Sequence, residues 1–155
     1  MLELAIANEP GLHIDARELC RQGPSYSIDT LEELRAEHGP QAPLAMIVGD
    51  DAFAGFPGWH RWMELFDLAH VVVASRPQPA DLPDVLAECM AGRLSENPEA
   101  LCETPAGCVF RLRLPLHPQS SSTVRGRIAA GLSLQGWVPE AVADYIAAQR
   151  LYRPA

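Results

Sequence analysis

The 155-residue sequence contains no lysine; all 12 of its basic residues are arginine. Any contact with a phosphate therefore has to come from arginine forks, backbone N–H groups or helix N-termini. Positive charge is also scarce, because 20 acidic residues outnumber those 12 and leave a net charge of −8. A surface built for polyanions needs the opposite sign, which argues against nucleic acid as the main partner. Long apolar runs are missing too. No stretch approaches the ~20 consecutive apolar residues of a transmembrane helix, so no membrane association is expected. The opening MLELAIA lacks the basic start and longer apolar core of a signal peptide. The expected compartment is the cytoplasm.

Cysteine is sparse. Cys20, Cys89, Cys102 and Cys108 form no C-x-x-C pair and have no histidine at metal-ligand spacing. They read as reduced thiols used mostly for packing, since free cysteine is among the most buried residue types. Repeats and low-complexity segments are absent, and the 14 prolines fall mostly in the expected connections. At 48% hydrophobic and 21% charged residues, the composition is that of a globular protein, with one domain expected over 1–155. A chain of this size buries roughly 68–70% of its unfolded surface, enough for a real core.

Two short apolar runs stand out in what is present, Leu44–Val48 and His70–Ala74. Neither alternates apolar with polar residues, so both read as parallel strands covered on both faces. Between them Trp59, Trp62, Met63 and Phe66 recur at helical spacing as one stripe. Ile28, Leu31 and Leu34 mark an earlier helix, capped by Ser27 or Asp29 and stopped near Gly39-Pro40. Leu12–Asp15 is a weaker strand candidate, and Leu82–Ala91 reads as a helix between loops at Arg76–Pro79 and Asn97-Pro98. Cys108–Leu114 alternates with period two, as suits a strand nearer the sheet edge. Two closing helices follow over Ser122–Ala130 and Pro139–Gln149, with Gly131 between them, and Met1–Asn8 reads as a further helix without a cap. The class is α/β with a mainly parallel sheet.

Four clusters could carry chemistry. Ligands of open α/β sheets bind beyond the carboxyl ends of the strands, and the first run ends there in Gly49-Asp50-Asp51. A carboxylate at that place suits ribose hydroxyls, magnesium through Asp50 or Asp51, or a plain helix cap. In Pro57-Gly58-Trp59-His60, the Trp stands at an expected helix start, able to stack on a planar ligand while a nearby amide holds a carboxylate. The same residues also suit core anchors. Ser120–Arg127 runs a hydroxyl-rich loop into a helix bearing Arg125 and Arg127, which makes either a phosphate cradle or an ordinary cap with a solvated basic face. Pro24–Leu31 by itself says only that a helix begins.

Together, PSYSIDTLEEL, IVGDDAFAGFPGWHRW, AHVVVASRP, SSSTVRGR and VPEAVADYIAAQRLYR closely resemble bacterial nicotinate-nucleotide adenylyltransferases over nearly the whole chain. The resemblance implies a Rossmann-like nucleotidyltransferase fold that joins nicotinate mononucleotide to the AMP part of ATP, with Mg2+, giving deamido-NAD and pyrophosphate. It implies that Trp59 stacks on the nicotinate ring, with His60 and Ser27 beside the pyridine carboxylate. Gly49 and Asp51 would contact the adenosine ribose, and Ser120, Ser121, Ser122 and Arg125 would hold ATP. Gln119 stands where the family has Ile, and Ser122 where it has Thr. The family's Gly-rich phosphate loop and His-x-Gly-His pair include none of the five histidines here (His13, His38, His60, His70, His117), so no catalytic residue is assigned. The expectation is a chain lacking the first βαβ portion and inactive as written, with a non-catalytic pyridine-nucleotide-binding remnant or partner subunit as the alternative. A pantetheine-phosphate acceptor fits Ser27, Trp59 and His60 less well.

Overall fold

The computed structural model describes residues 1–75, 81–113, 115 and 119–152. They belong to two compact units, one formed by Arg17–Leu116 and the other by Met1–Ala16 together with His117–Ala155. The first is the sheet unit. Its strands β1 (Ala45–Gly49), β2 (His70–Ser75), β3 (Leu94–Ser95) and β4 (Val109–Arg113) lie in the order β1-β2-β4-β3, and every pairing is parallel. The β-branched run of β2 fills the centre, where five of its six residues are buried, as expected of a strand with neighbours on both edges.

One edge differs from the sequence reading. Leu44–Val48 was expected to be covered on both faces, but β1 alternates between exposed and half-buried residues, leaving Ile47 69% exposed, and among the described residues it pairs with β2 alone. Apolar content alone does not separate an edge strand from a central one. As expected, β4 lies nearer the edge than the centre: the two-residue edge strand β3 pairs only with its Val109 and Phe110. Leu12–Asp15 forms no strand. The loop expected at Arg76–Pro79 lies outside the described residues, as does Leu114.

Helices α2 (Ser27–His38), α3 (Asp50–Ala54), α4 (Leu65–Leu68), α5 (Asp84–Met90) and α6 (Ala100–Glu103) complete this unit. Ile28 and Leu31 of α2, Phe53 of α3, Leu65 and Phe66 of α4, and Leu86 of α5 join Val71, Val73 and Val109 in one core. Each fully buried Phe, Leu or Val contributes roughly 1.5–3 kcal/mol. The stop of α2 follows the sequence: Gly39 takes φ +86°, open to glycine, and donates its N–H to the Arg35 carbonyl at 3.0 Å. Its start does not. Tyr26 occupies the cap position without a side-chain bond, and Ser27 is already helical.

The stripe from Trp59 to Phe66 is not one helix. Phe56–Gly58 and Trp62–Glu64 are 3-10 turns, Trp59 is extended, and Arg61 adopts the left-handed region at φ +51°. The extended Trp59 and the left-handed Arg61 break the helical path, so residues at helical spacing reach different surroundings: Phe66 is buried while Met63 is 57% exposed. Of the cysteines, all four are free, but Cys20 and Cys102 are exposed rather than packed.

The second unit contains α1 (Leu2–Ile6), α7 (Ser121–Ala129) and α8 (Glu140–Ala148), with α1 packed against α8. Val142 and Ile146 of α8 are buried. Helix α7 is capped by Ser120, whose Oγ accepts the Thr123 N–H at 3.1 Å. Among the described residues no helix is long and apolar enough to cross a membrane.

Arg35 binds backbone rather than a carboxylate. Its guanidinium donates to the carbonyls of Gly39, Ala42, Leu68 and Pro105, the last at 2.9 Å. Arg35→Met should therefore take a donor from the Gly39, Ala42 and Leu68 carbonyls, at about 1–3 kcal/mol for each one buried, while the Pro105 carbonyl keeps the Leu44 N–H at 3.2 Å. The expected loss is roughly 3–5 kcal/mol in chemical denaturation, and Arg35→Lys should recover only part of it, because an ammonium lacks the planar fork.

Arg61 holds its left-handed turn by an ion pair to Glu32 of α2 at 2.9 Å and by a fork onto Glu64. Hydrogen bonding from Arg61 keeps the Glu64 carboxyl below the usual Glu range, and Coulombic attraction adds to this. A lowered carboxyl stabilises the fold above its ordinary value near 4.3, and that stability disappears as pH falls through the lowered one. In an NMR titration the Glu64 side-chain carboxyl should change state below the ordinary range. In Arg61→Ala it should return to that range.

Candidate active site

Beyond the carboxyl end of β1 the chain turns at Gly49 into α3. A side chain placed on Gly49 would meet nothing within 4 Å, so the backbone there is open to an approaching ligand. The two carboxylates that follow have different surroundings. Asp50 is 7% exposed and accepts from Ser75 Oγ at 3.1 Å and from Arg111 Nη1 at 3.4 Å. It thus joins the ends of β1 and β2 to β4. Asp51, one residue on, is exposed in the first turn of α3. Of the alternatives open for this pair, Asp50 already serves an internal ion pair, which leaves Asp51 as the carboxylate facing solvent.

A second feature lies between the start of α2 and the turn after α3. Ser25, Tyr26, Ser27, Gly58, Trp59 and His60 line a cavity of about 320 Å³. Ser27, Trp59 and His60, singled out from sequence, therefore share one pocket. The half-buried Trp59 packs against Phe56, ring centroids 4.7 Å apart and tilted by 41°. His60 is exposed and lies over Tyr26, centroids 4.5 Å apart. Trp59 is not at a helix start, however. It follows a 3-10 turn, and its own N–H donates to the Phe56 carbonyl at 2.8 Å. Tyr26 had no sequence signal beyond its place beside Ser27, and Arg21, whose guanidinium reaches Ser25, had none.

In the helical unit, Gln119, Ser120, Ser121 and Arg125 lie along a cavity of about 360 Å³ whose remaining wall includes Val124, Trp137 and Ile146. Gln119 anchors this loop by donating from Nε2 to the Gly136 carbonyl at 3.1 Å. Ser122 accepts from Arg125 Nη2 at 3.4 Å. The two arginines of the segment part company here. Arg125 is exposed, whereas Arg127 donates twice to the Ser133 carbonyl and lies over the Trp137 ring at 4.5 Å. The described residues hold no group of three or more His, Cys, Asp or Glu that could form a protein metal site.

Comparison with known proteins agrees with this architecture. A family model described as cytidylyltransferase-like matches residues 1–127. A Stenotrophomonas maltophilia protein named "Probable nicotinate-nucleotide adenylyltransferase" is 49% identical over 161 residues, covering 99% of this chain and 72% of that protein. One of the same name from Chromohalobacter salexigens is 46% identical, covering 98% of this chain and 70% of that protein. Among solved structures, Plasmodium falciparum nicotinic acid mononucleotide adenylyltransferase complexed with APC superimposes with a TM-score of 0.63 at 15% identity. The overlap covers 98% of this chain and 72% of that one. The same enzyme complexed with NaAD gives 0.64 at 14% identity, over 98% of this chain and 71% of that one. These structures share the Rossmann-like fold. On the sequence relatives, the chain belongs to the nicotinate-nucleotide adenylyltransferase family of nucleotidyltransferases.

Proposed function

We propose that this chain binds nicotinate mononucleotide and ATP for adenylyl transfer, the step of NAD biosynthesis that yields deamido-NAD and pyrophosphate. The observation that carries the reading is the pocket in which Ser27, Trp59 and His60 come together. It offers an indole to a pyridine ring, with a hydroxyl and backbone polar groups at its rim. In the reaction a phosphate oxygen of the mononucleotide attacks the α-phosphorus of ATP as the bond to the β-phosphate oxygen breaks, releasing pyrophosphate. Such a step depends on positioning and charge stabilisation rather than a covalent enzyme intermediate.

The residues divide that work. Gly49 leaves room for the adenosine ribose, and the Asp51 carboxylate accepts its hydroxyls. Ser120, Ser121, Ser122 and Arg125 meet ATP through hydroxyls, the amides opening α7 and one guanidinium. Mg2+ enters with ATP as part of the substrate, since this ion favours phosphate oxygens and water over all-protein cages.

A second reading, pyridine-nucleotide binding without turnover, is favoured by one observation. None of the five histidines in the sequence stands in a His-x-Gly-His pair. Pyrophosphate release from ATP, with nicotinate mononucleotide and Mg2+ present, separates the two. Release that depends on the mononucleotide is the result expected of adenylyl transfer, whereas no release alongside intact mononucleotide binding would favour the second reading. Full turnover would refute the second reading and direct the search for catalytic groups to Asp50, His60 and the arginines.

Replacing Trp59 by Ala should weaken nicotinate mononucleotide binding more than ATP binding, by about 0.5–1.5 kcal/mol for the lost stacking. Titration calorimetry with each ligand decides it, and equal losses would make Trp59 a core residue only. For Arg125→Lys the expected change is confined to ATP, because lysine cannot reproduce a bidentate grip on phosphate. An unchanged dissociation constant for ATP would remove this arginine from the site.

A further inference from the structure

The pocket holding Ser27, Trp59 and His60 has its wall at the entry to α2, and that entry lacks the usual fastening. No side chain caps the helix, Tyr26 at the cap position is extended, and the turn before it runs through Gly23 at φ +89°. Such a segment has little of its own to fix it. The fastening comes instead from Arg21. Its Nη1 donates to Ser25 Oγ at 2.7 Å and to Thr30 Oγ1 at 2.8 Å, with the Tyr26 carbonyl at 3.5 Å, while Nη2 donates to Glu33 Oε1 at 2.8 Å. The Thr30 hydroxyl hydrogen points the other way, to Glu18 Oε1 at 2.6 Å, so its oxygen lone pair is left for the guanidinium.

Ser25 and Tyr26 are two of the six residues lining the cavity, and Tyr26 carries the ring that lies over His60, a third. One guanidinium thus ties α2 to the turn whose Ser25 and Tyr26 form part of the pocket wall. We propose that Arg21 is a positioning residue for pyridine-nucleotide binding, holding Ser25 and Tyr26, and through Tyr26 the imidazole of His60, in the receiving geometry. This rests on the reading of that pocket given above. The planar fork is what allows one side chain to serve acceptors on both sides of the helix entry, a task that a lysine ammonium performs poorly. Exposed Glu33 contributes little, because an ion pair at the surface is screened by water.

The test compares the wild-type chain with Arg21→Ala, Arg21→Lys and Glu33→Gln in three measurements: calorimetric titration with nicotinate mononucleotide, the same with ATP, and the NMR shift of the His60 ring protons. With the turn no longer pre-ordered, Arg21→Ala should weaken mononucleotide binding roughly tenfold. ATP binding should change less than about twofold in that variant, and Glu33→Gln should leave both ligands within about twofold. Loss of the Tyr26 ring current should move the His60 ring protons downfield in Arg21→Ala, before any ligand is added. Should Arg21→Ala fail to fold, Arg21→Lys is read by the same criteria. Equal weakening for both ligands would mark Arg21 as a stabilising residue only, and overturn the proposal. So would unchanged mononucleotide affinity in a variant whose His60 protons have shifted. A wild-type chain that takes up no mononucleotide overturns the pocket reading and this proposal with it. A wild type that binds, with an unaffected Arg21→Ala, overturns the proposal alone.

Discussion

The sheet unit depends on a cation whose partners among the described residues are all backbone carbonyls. Arg35 reaches from α2 to carbonyls at Ala42, Leu68 and Pro105, which precede β1, β2 and β4 respectively. Three parallel strands are therefore gathered at their amino ends by one guanidinium. Parallel strands have no tight hairpin turns to set their stagger, so each must be placed by what precedes it. His70 adds to the same end, its ring bridging the Thr104 carbonyl and the Cys108 N–H at 2.8 and 3.0 Å. Both ring nitrogens of this fully buried side chain are thus engaged, and it belongs to the scaffold rather than to chemistry.

The carboxyl ends of the same three strands are joined by an anion. Asp50, directly after β1, meets Ser75 at the end of β2 and Arg111 within β4. The two hubs differ in what they leave over. Arg35 spends its donors on loops that serve only the fold. Asp50 draws the strand ends together next to Gly49 and Asp51, where a ligand of an open α/β sheet is expected. Both ends of the strands are tied, and only the carboxyl end lies beside the residues proposed to meet the adenosine ribose.

Much of this was legible in the sequence because it depends on local pattern. The β-branched run at His70–Ala74 marked a central strand, and the spacing of Ile28, Leu31 and Leu34 marked α2. Ser27, Trp59 and His60 came from a resemblance that spans separate stretches of chain, and the fold places the three in one cavity. What was not legible depends on neighbours. Ile47 looks like a buried residue until one face of β1, carrying Ala45, Ile47 and Gly49, proves to be exposed. The Trp59–Phe66 stripe has helical spacing, but the extended Trp59 and the left-handed Arg61 redirect the chain within it. Arginine is the least legible residue of all. Arg21, Arg35 and Arg127 look alike in sequence, yet their long side chains find respectively a helix entry, strand entries and the turn after α7 through the tertiary path.

The two units also differ in how the chain visits them. The sheet unit is one continuous stretch, Arg17–Leu116, whereas the helical unit is made from both flanks of it. Ribosomes deliver a chain from its amino end at about 5–20 residues per second, so the sheet unit has all of its parts first. Helix α1, synthesised before any of them, has to wait for α8 before it gains its packing partner. At five residues it is too short to persist alone in water. The helical unit is thus completed only when α8 emerges to pack against a segment that precedes the sheet unit, and its contacts are among the most distant in sequence.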